Sequence, residues 1–378
     1  MTIPETYRFY FILIIVSGIL FFISEMNVLN KMKITVRNRK LYIIHPWSIL
    51  FKFSALCVLG YPLAMRDCGA DKQTYYYRYL HNGFEMMDGL FDLFRNFIHI
   101  FISDPRLGIG IIGVICLVIV MITISSCERE IEVYLSCFAF ITALYFYYYN
   151  YVRMMTATTL VIVAFSYMIK NKNKQAIIFL IIASCIHLSA IAVLLVYITM
   201  QYFIKYRRFF IGLLIAGISA FVYNPMFFLM LVRVNRYSSQ IVSDTVNEAR
   251  IGLGTFLRAL PILLVQIFYL KNFKQSKIYN KLLALTIINI GISMVGYFVG
   301  VASRLANMYF TAHILFAIPW IIKHLNSYRH KIYLRIFFIV YMLFYYYIVS
   351  QNFETMMIVP YHLKDISNIR GLQNETRD

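Results

Sequence analysis

Ten apolar runs, each long enough to cross about 30 Å of hydrocarbon, dominate the sequence. Because lipid offers no hydrogen-bond partner to the backbone, a spanning run must be helical. Only 14% of the residues are charged, against about 25% in soluble domains. We therefore predict an all-α polytopic integral membrane protein with about 10–12 transmembrane helices. The runs lie near residues 7–23, 47–64, 107–124, 132–149, 154–169, 209–226, 253–270, 282–301, 306–322 and 333–350.

A further apolar stretch, residues 176–203, is flanked on both sides by basic residues, "KNKNK" and "KYRR". The positive-inside rule places both flanks in the cytoplasm. Twenty-eight residues are too few for two crossings, because each crossing needs about 20. We favour a re-entrant or broken hairpin that turns near His187 and Ser189. The alternative is one long tilted helix with "KYRR" outside.

With this hairpin, both termini become external. The basic loops become cytoplasmic, at residues 24–46, 170–175, 204–208, 271–281 and 323–335. The chain, residues 1–378, is predicted to form a single membrane domain. Its longest polar stretches would be an external loop at 65–106, a second at 227–252 and an external tail at 351–378. A net charge of +19 then reflects cations that flank the apolar runs, so nucleic acid is not an expected partner.

The two kinds of cation divide unequally in this topology. The cytoplasmic side holds 14 of the 16 Lys, whereas the external side holds 13 of the 20 Arg. The planar guanidinium grips phosphate oxygens two at a time and stays charged. This bias predicts an external site for a phosphorylated ligand. Alternatively, individual arginines snorkel to the interface or pair with carboxylates.

Several external residues are candidates for that site. The charged loop "MRDCGADKQTYYYRYLHNGFEMMDGL" has helical character that puts Asp71, Tyr75 and Arg78 on one face. Its other reading is an amphipathic helix at the membrane surface. His187 lies inside an apolar stretch, where an ionisable group suggests function, although a satisfied core histidine is the alternative. The remaining candidates are Arg66, Glu85, Asn150, Arg153, Arg250, Arg304 and Tyr361.

Several familiar nucleotide-binding and catalytic motifs are absent from the sequence. There is no Walker A loop, no GxGxxG before a helix, no GxSxG and no HExxH. The six cysteines include no CxxC pair, so we expect neither a disulfide framework nor a zinc site. We expect no cofactor and no metal, and any chemistry is predicted to be external and independent of nucleotides.

Five short motifs occur in order along the chain: Arg66, Gly69, Asp71, Tyr75 and Glu85; Asn150 and Arg153; His187, Ser189 and Ala190; Arg304 and Tyr309; Pro360 and Tyr361. This order resembles the EpsG-like branch of Wzy-type O-antigen and exopolysaccharide polymerases. Two departures stand out: Met154 occupies a position where the family often has Gln, and "EMMDGLF" leaves Glu85 and Asp88 as rivals for one acidic position.

This resemblance implies a GT-C-like membrane glycosyltransferase. It would join oligosaccharide repeat units carried on undecaprenyl diphosphate at the periplasmic face of the bacterial inner membrane, with a chain-length regulator as a further partner. Arg153 and Arg304 would hold the diphosphate. Asp71 or Glu85 would orient or deprotonate the acceptor hydroxyl, with His187 as the rival base. The other candidate residues would bind substrate.

Three other functions are compatible with parts of the sequence. A flippase for lipid-linked oligosaccharide also needs cations for a diphosphate, but it needs access from both faces, and the arginine bias is one-sided. A membrane O-acyltransferase with His187 as base requires a cytoplasmic acyl-donor site, which the inner loops do not suggest. A purely structural membrane protein leaves the external arginines unexplained.

Overall fold

The computed structural model describes residues 1–29, 32–36, 39–43, 46–81, 89–205, 251–296 and 300–361. Most of these residues are helical. The helices are α1 (Ile3–Leu29), α2 (Pro46–Ala64), α3 (Lys72–His81), α4 (Gly89–Phe101), α5 (Pro105–Ser125), α6 (Val133–Ala143), α7 (Val152–Ile169), α8 (Asn173–Ile186), α9 (Ile191–Lys205), α10 (Ile251–Phe268), α11 (Leu270–Phe273), α12 (Lys277–Gly296), α13 (Gly300–Met308), α14 (Ile314–His324) and α15 (Tyr328–Ser350). Short 3-10 turns occupy Tyr145–Tyr149, Leu188–Ala190 and Phe310–His313.

Six helical segments of the described chain are long and apolar enough to cross a membrane. Four shorter apolar helices accompany them, at Val133–Ala143, Asn173–Ile186, Leu188–Met200 and Arg258–Phe268. The prediction of an all-α polytopic membrane protein is confirmed. The predicted run at 209–226 lies outside the described residues. The six segments are Ile3–Met26, Pro46–Ala64, Pro105–Ser125, Val152–Ile169, Arg304–His324 and Tyr328–Ser350.

Two short strands follow α1 in the loop that we predict to be cytoplasmic. Strand β1 (Met32–Val36) pairs antiparallel with β2 (Arg39–Ile43), so that Met32 faces Ile43 and Val36 faces Arg39. The pairing satisfies the backbone groups of both strands locally. This hairpin lies outside the predicted apolar runs, and the helical prediction for those runs is unaffected.

The chain divides into two compact units. The first comprises Met1–Val118, Tyr145–Val152 and Val349–Asp378, and the second comprises Ile119–Leu144 and Arg153–Ile348. In the first unit α1 packs along α2. In the second, α12 contacts α9, α10, α13 and α14, and α14 also packs on α6.

The predicted break in the stretch 176–203 is present. Helix α8 ends at Ile186, and His187 has an extended backbone with φ −146° and ψ 115°. The Tyr197 hydroxyl donates a hydrogen bond to Asn173 Oδ1 at 2.9 Å. Twenty-four residues of straight helix would separate these two residues by about 36 Å, so the chain must reverse between them. The hairpin, with arms of 14 and 15 residues, is therefore confirmed in place of one long helix.

Two helices lie in the predicted external loop 65–106, and the second, α4, is strongly amphipathic. Its apolar side chains Phe97, Ile100 and Phe101 are exposed. On its other face Asp92 and Arg95 are buried and form an ion pair with 3.1 Å between Oδ1 and Nη1. A buried charge is tolerated when it is paired. Helix α4 thus buries its charged pair in the protein and leaves its apolar face exposed, where lipid at the membrane surface could cover it.

Candidate functional site

The predicted site residues fall into different parts of the structure. We call Arg66, Asp71, Tyr75, Arg78, Asn150 and Tyr361 the Arg66 cluster, which belongs to the first unit. We call Arg153, His187, Ser189 and Tyr309 the His187 cluster, which belongs to the second unit, as does Arg304. Glu85, its rival Asp88, and Arg250 lie outside the described residues.

A glycine turn sets the path of the chain through the Arg66 cluster. Gly69 has φ +111°, and a Cβ at this position would lie 2.5 Å from the Tyr149 carbonyl oxygen. Only glycine adopts this conformation and this close approach without strain. The amides of Gly69 and Ala70 donate to the carbonyl oxygens of Met357 and Met356 at 2.8 and 2.9 Å. The turn is therefore held between the 3-10 turn at 145–149 and the tail.

Arg66 is buried next to this turn. Its Nη1 donates to the carbonyl oxygen of Tyr148, and its guanidinium lies 5.5 Å from the centre of the Tyr149 ring. Burial of a cation is tolerated here because a carbonyl and an aromatic face both stabilise it. In this structure Arg66 thus ties the loop 65–106 to the tyrosine-rich turn at 145–149.

Asp71 and Asn150 come together at the start of α3. The Asp71 amide donates to Asn150 Oδ1 at 3.0 Å, and Asn150 is buried. The predicted helix is present, and Asp71, Tyr75 and Arg78 share its half-buried face. A carboxylate directly before a helix is stabilised by the helix dipole. The Asn150 side chain therefore positions Asp71 at the start of α3 through this hydrogen bond.

Tyr361 anchors the tail in the first unit. Its hydroxyl donates to the Pro62 carbonyl oxygen at 2.8 Å, and its amide donates to Thr6 Oγ1 at 3.0 Å. Its ring lies 5.4 Å from the ring of Phe9. Burial raises the pKa of the Tyr361 phenol above its ordinary value. The tail folds back onto this unit, and its tyrosine is kept neutral.

A carboxylate that was not among the candidates, Asp67, organises the same loop. It accepts hydrogen bonds from Lys72 at 3.3 Å and from the Tyr76 hydroxyl at 3.4 Å, and it forms an ion pair with Arg106 at 3.5 Å. The neighbouring Cys68 thiol is buried, which raises its pKa to about 12. The thiol is therefore neutral near pH 7. Asp67 pairs with two cations of this loop, Lys72 and Arg106.

In the second unit, a hydrogen-bonded chain runs through the hairpin turn. His187 Nδ1 lies 2.7 Å from Ser189 Oγ, which lies 3.0 Å from the hydroxyl of the buried Tyr309. The Ser189 amide also donates to His187 Nδ1 at 3.3 Å, so the ring caps the 3-10 turn that reverses the chain. The turn that makes the hairpin therefore also orients the imidazole.

This geometry determines the role of each ring nitrogen. A backbone amide is only a donor, so Nδ1 must be the acceptor. In the neutral ring the other nitrogen, Nε2, then carries the proton. The hydroxyls follow in one direction, with Tyr309 donating to Ser189 and Ser189 donating to Nδ1. Such chains polarise one another, and His187 is left with Nε2–H as its donor.

Two arginines belong to this unit as well. Arg153 is the second residue of α7, and its guanidinium interacts electrostatically with the His187 ring. Arg304 is exposed on α13, five residues before Tyr309. The structure thus brings together three of the sequence-predicted motifs, those of Arg153, of His187 with Ser189, and of Tyr309.

A comparison against protein families confirms the family resemblance that the motifs suggested. The model of the EpsG family matches residues 47–363. The chain belongs to the EpsG family. Every predicted site residue of this EpsG-family chain lies inside the matched range. No curated protein and no solved structure was found to match it.

In the described part of the EpsG-family chain, no group of three or more His, Cys, Asp or Glu side chains is placed to hold a metal ion. The groups that can act chemically in the His187 cluster are donors: a guanidinium, an imidazole N–H and two hydroxyls in series. Such groups stabilise a developing negative charge on oxygen.

Sequence reasoning missed a buried lysine at the open end of the hairpin. Lys281 Nζ donates to Asn173 Oδ1 at 2.8 Å, the same oxygen that accepts from Tyr197. The lysine is only 3% exposed. In the sequence Lys281 is one of several cations of a basic loop, and the available signal was its position directly before an apolar run. It ties α12 to both arms of the hairpin.

Proposed function

We propose that this EpsG-family chain is an O-antigen or exopolysaccharide polymerase. It joins oligosaccharide repeat units carried on undecaprenyl diphosphate at the periplasmic face of the inner membrane, and it needs neither metal nor nucleotide. Membership of the EpsG family supports a polymerase of this kind. The observation that carries the proposal is the His187 cluster, in which an arginine accompanies an oriented imidazole donor within an apolar hairpin.

The reaction makes one bond and breaks one. The acceptor hydroxyl oxygen attacks the anomeric carbon of the donor sugar, and the bond from that carbon to the phosphate oxygen breaks. Undecaprenyl diphosphate leaves with the bonding electrons, so negative charge grows on its phosphate oxygens. The hydroxyl proton moves to a base. The polymer grows by one unit, and no oxidant or reductant is required.

The donors of the His187 cluster suit the leaving group. Arg153 offers two parallel N–H donors to a phosphate, and Arg304 is the candidate for the second phosphate. His187 Nε2–H donates to the same charge as a neutral group, with Ser189 and Tyr309 keeping its ring oriented. Donors that already point at developing charge need no reorganisation during the reaction.

The proton of the acceptor hydroxyl needs a different group. His187 Nδ1 already accepts from the Ser189 amide and hydroxyl, and Nε2 carries a proton, so we assign the ring to the leaving group. The candidate bases are then the carboxylates Asp71 and Glu85. Arg66, Tyr75, Arg78, Asn150, Arg250 and Tyr361 shape the substrate-binding region in this proposal.

The test is the surface polysaccharide of a deletion strain, separated on a gel. A polymerase defect leaves single repeat units in place of a ladder. Total loss of surface material with lipid-linked units retained inside the cell would instead indicate a flippase and overturn the proposal. Purified protein given lipid-linked repeat units should lengthen them in the presence of EDTA and without any nucleotide. If elongation occurs without EDTA but stops when EDTA is added, metal independence is refuted.

The role of Arg153 and Arg304 is tested by substitutions that keep the positive charge but remove the planar guanidinium. In Arg153→Lys and Arg304→Lys the bidentate fork is lost, so activity should fall nearly as far as in the Ala variants, by roughly a hundredfold or more. The matched control is Arg8→Lys, the same change at an exposed arginine of α1. Full-length ladders from both Lys variants, expressed at wild-type levels, would exclude a diphosphate clamp.

A further inference from the structure

A groove of about 520 Å³ lies between α10 and α15 in the second unit. Leu264 and Phe268 line one side, and Tyr333, Leu334 and Phe337 line the other. Leu264 and Phe268 are four residues apart, so they lie on one face of α10. Tyr333, Leu334 and Phe337 likewise share one face of α15, because Leu334 and Phe337 are three residues apart and Tyr333 and Phe337 four. Tyr269 and His330 close one end, with their rings 6.1 Å apart. The volume is that of a typical small-molecule site.

The walls of this groove are apolar and exposed. Phe268 is 72% exposed, Tyr333 is 67% exposed and Leu264 is 58% exposed. An apolar surface of this kind is stable only where hydrocarbon covers it. Both helices belong to apolar segments of a membrane protein, so the groove opens toward lipid. Its walls suit an acyl chain.

Two cations lie close in sequence to Tyr269 and His330, which form one end of the groove. Lys271 lies two residues beyond Tyr269, and Arg329 directly precedes His330. Both cations are exposed. Residues 251–353 contain ten Lys and Arg and no Asp or Glu, so neither cation has a carboxylate within its own segment. Basic groups beside a groove between membrane helices attract anionic lipid headgroups.

We infer that this groove is a binding site for an anionic phospholipid of the phosphatidylglycerol type. One acyl chain occupies the groove, and the headgroup phosphate lies at the Tyr269–His330 end between Lys271 and Arg329. Lys271 belongs to the loop 271–281, which the sequence predicts to be cytoplasmic, whereas the proposed reaction is periplasmic. The lipid is therefore a bound component of the protein rather than its substrate, and the inference does not rest on the polymerase activity.

The headgroup is tested by native mass spectrometry of the purified full-length chain titrated with phosphatidylglycerol or phosphatidylcholine. The wild type should retain phosphatidylglycerol preferentially. In the double variant Lys271→Gln/Arg329→Gln, its affinity should fall about 30-fold, since each cation near a headgroup contributes about 1 kcal/mol. The control is Lys172→Gln/Lys174→Gln, which removes two exposed cations elsewhere. Equal retention of both lipids, or equal affinity in both double variants, would overturn the inference.

The acyl chain is tested separately by filling the groove. Leu264→Trp should abolish retention of the lipid, whereas Ile336→Trp, the same kind of change at an exposed position of α15 that does not line the groove, should not. Identical retention by these two variants would refute the groove as the site. Displacement of phosphatidylglycerol by undecaprenyl phosphate at equal concentration would refute the assigned occupant. All of these experiments measure lipid binding and not polymer formation, so their outcome is independent of the proposed polymerase activity.

Discussion

Two substitutions of His187 distinguish its role as a hydrogen-bond donor from a role as a general base. Glutamine places an amide NH₂ near the position of histidine Nε2, whereas asparagine places its amide near Nδ1. In the structure Nδ1 accepts from the Ser189 amide at 3.3 Å and from the Ser189 hydroxyl at 2.7 Å. If Nε2–H is the working group, His187→Gln keeps a donor where it is needed, and His187→Asn does not.

The size of the effect follows from these contacts. Turning the ring proton onto Nδ1 would break the hydrogen bond from the Ser189 amide, of about 1 kcal/mol, whereas the Ser189 hydroxyl could rotate and accept from Nδ1–H. The amide bond alone therefore favours the Nε2–H form by roughly 5 to 1. Loss of a donor to a developing oxyanion lowers the rate by roughly 10²–10³-fold. We therefore expect His187→Asn to lose at least about a hundredfold in rate, and His187→Gln to stay within about tenfold of wild type.

The assay is elongation of lipid-linked repeat units by purified variants, with rates taken from the first additions. Ser189→Ala supplies a second readout, because it removes the hydroxyl that joins His187 to Tyr309 but leaves the backbone amide in place. Its rate should lie between those of the two His187 variants. Equal inactivation by Gln and Asn would refute the donor role, since neither amide replaces a base.

Three further predictions concern the fold. Gly69→Ala should lower the free energy of unfolding by about 2 kcal/mol or more, because φ is +111° and the new Cβ would meet a carbonyl oxygen. The control, Gly89→Ala, has open space around the new Cβ and should have no measurable effect in the same thermal unfolding assay. Phe97→Trp should be quenched by brominated lipids, after subtraction of the wild-type signal, more strongly than Tyr77→Trp on α3, and equal quenching would contradict an interfacial α4. A reporter fused after Lys205 should report cytoplasm, and a periplasmic signal there would contradict the predicted sidedness of the hairpin.

The hairpin illustrates what could be predicted from local composition. Basic flanks on both sides of a stretch too short for two crossings required the chain to reverse, and the polar pair His187 and Ser189 marked the place. Both inferences rest on the energy of moving charge and unsatisfied backbone into lipid, which is a local property of the sequence. The bond from Tyr197 to Asn173 agrees with them.

Burial and partners could not be predicted in the same way. Arg66 and Arg304 read alike in sequence, as external arginines in short motifs, yet Arg66 is buried against Tyr148 and Tyr149 while Arg304 is exposed. Tyr361 reads as a candidate ligand group, and its hydroxyl bonds to Pro62, 299 positions away in the chain. Such contacts depend on segments whose separation in sequence carries no signal in a single chain.

The sequence by itself thus determined that this chain is an α-helical membrane protein, where it reverses, and which motifs identify its family, because transfer of each segment into lipid depends mainly on that segment's own residues. Only the tertiary structure decided that Tyr309 bonds to Ser189, 120 positions away, which nitrogen of the His187 ring accepts, and that α10 and α15 form a groove. Hydrogen bonds and grooves are set by distances of a few ångströms between remote segments, and those distances exist only once the helices have packed.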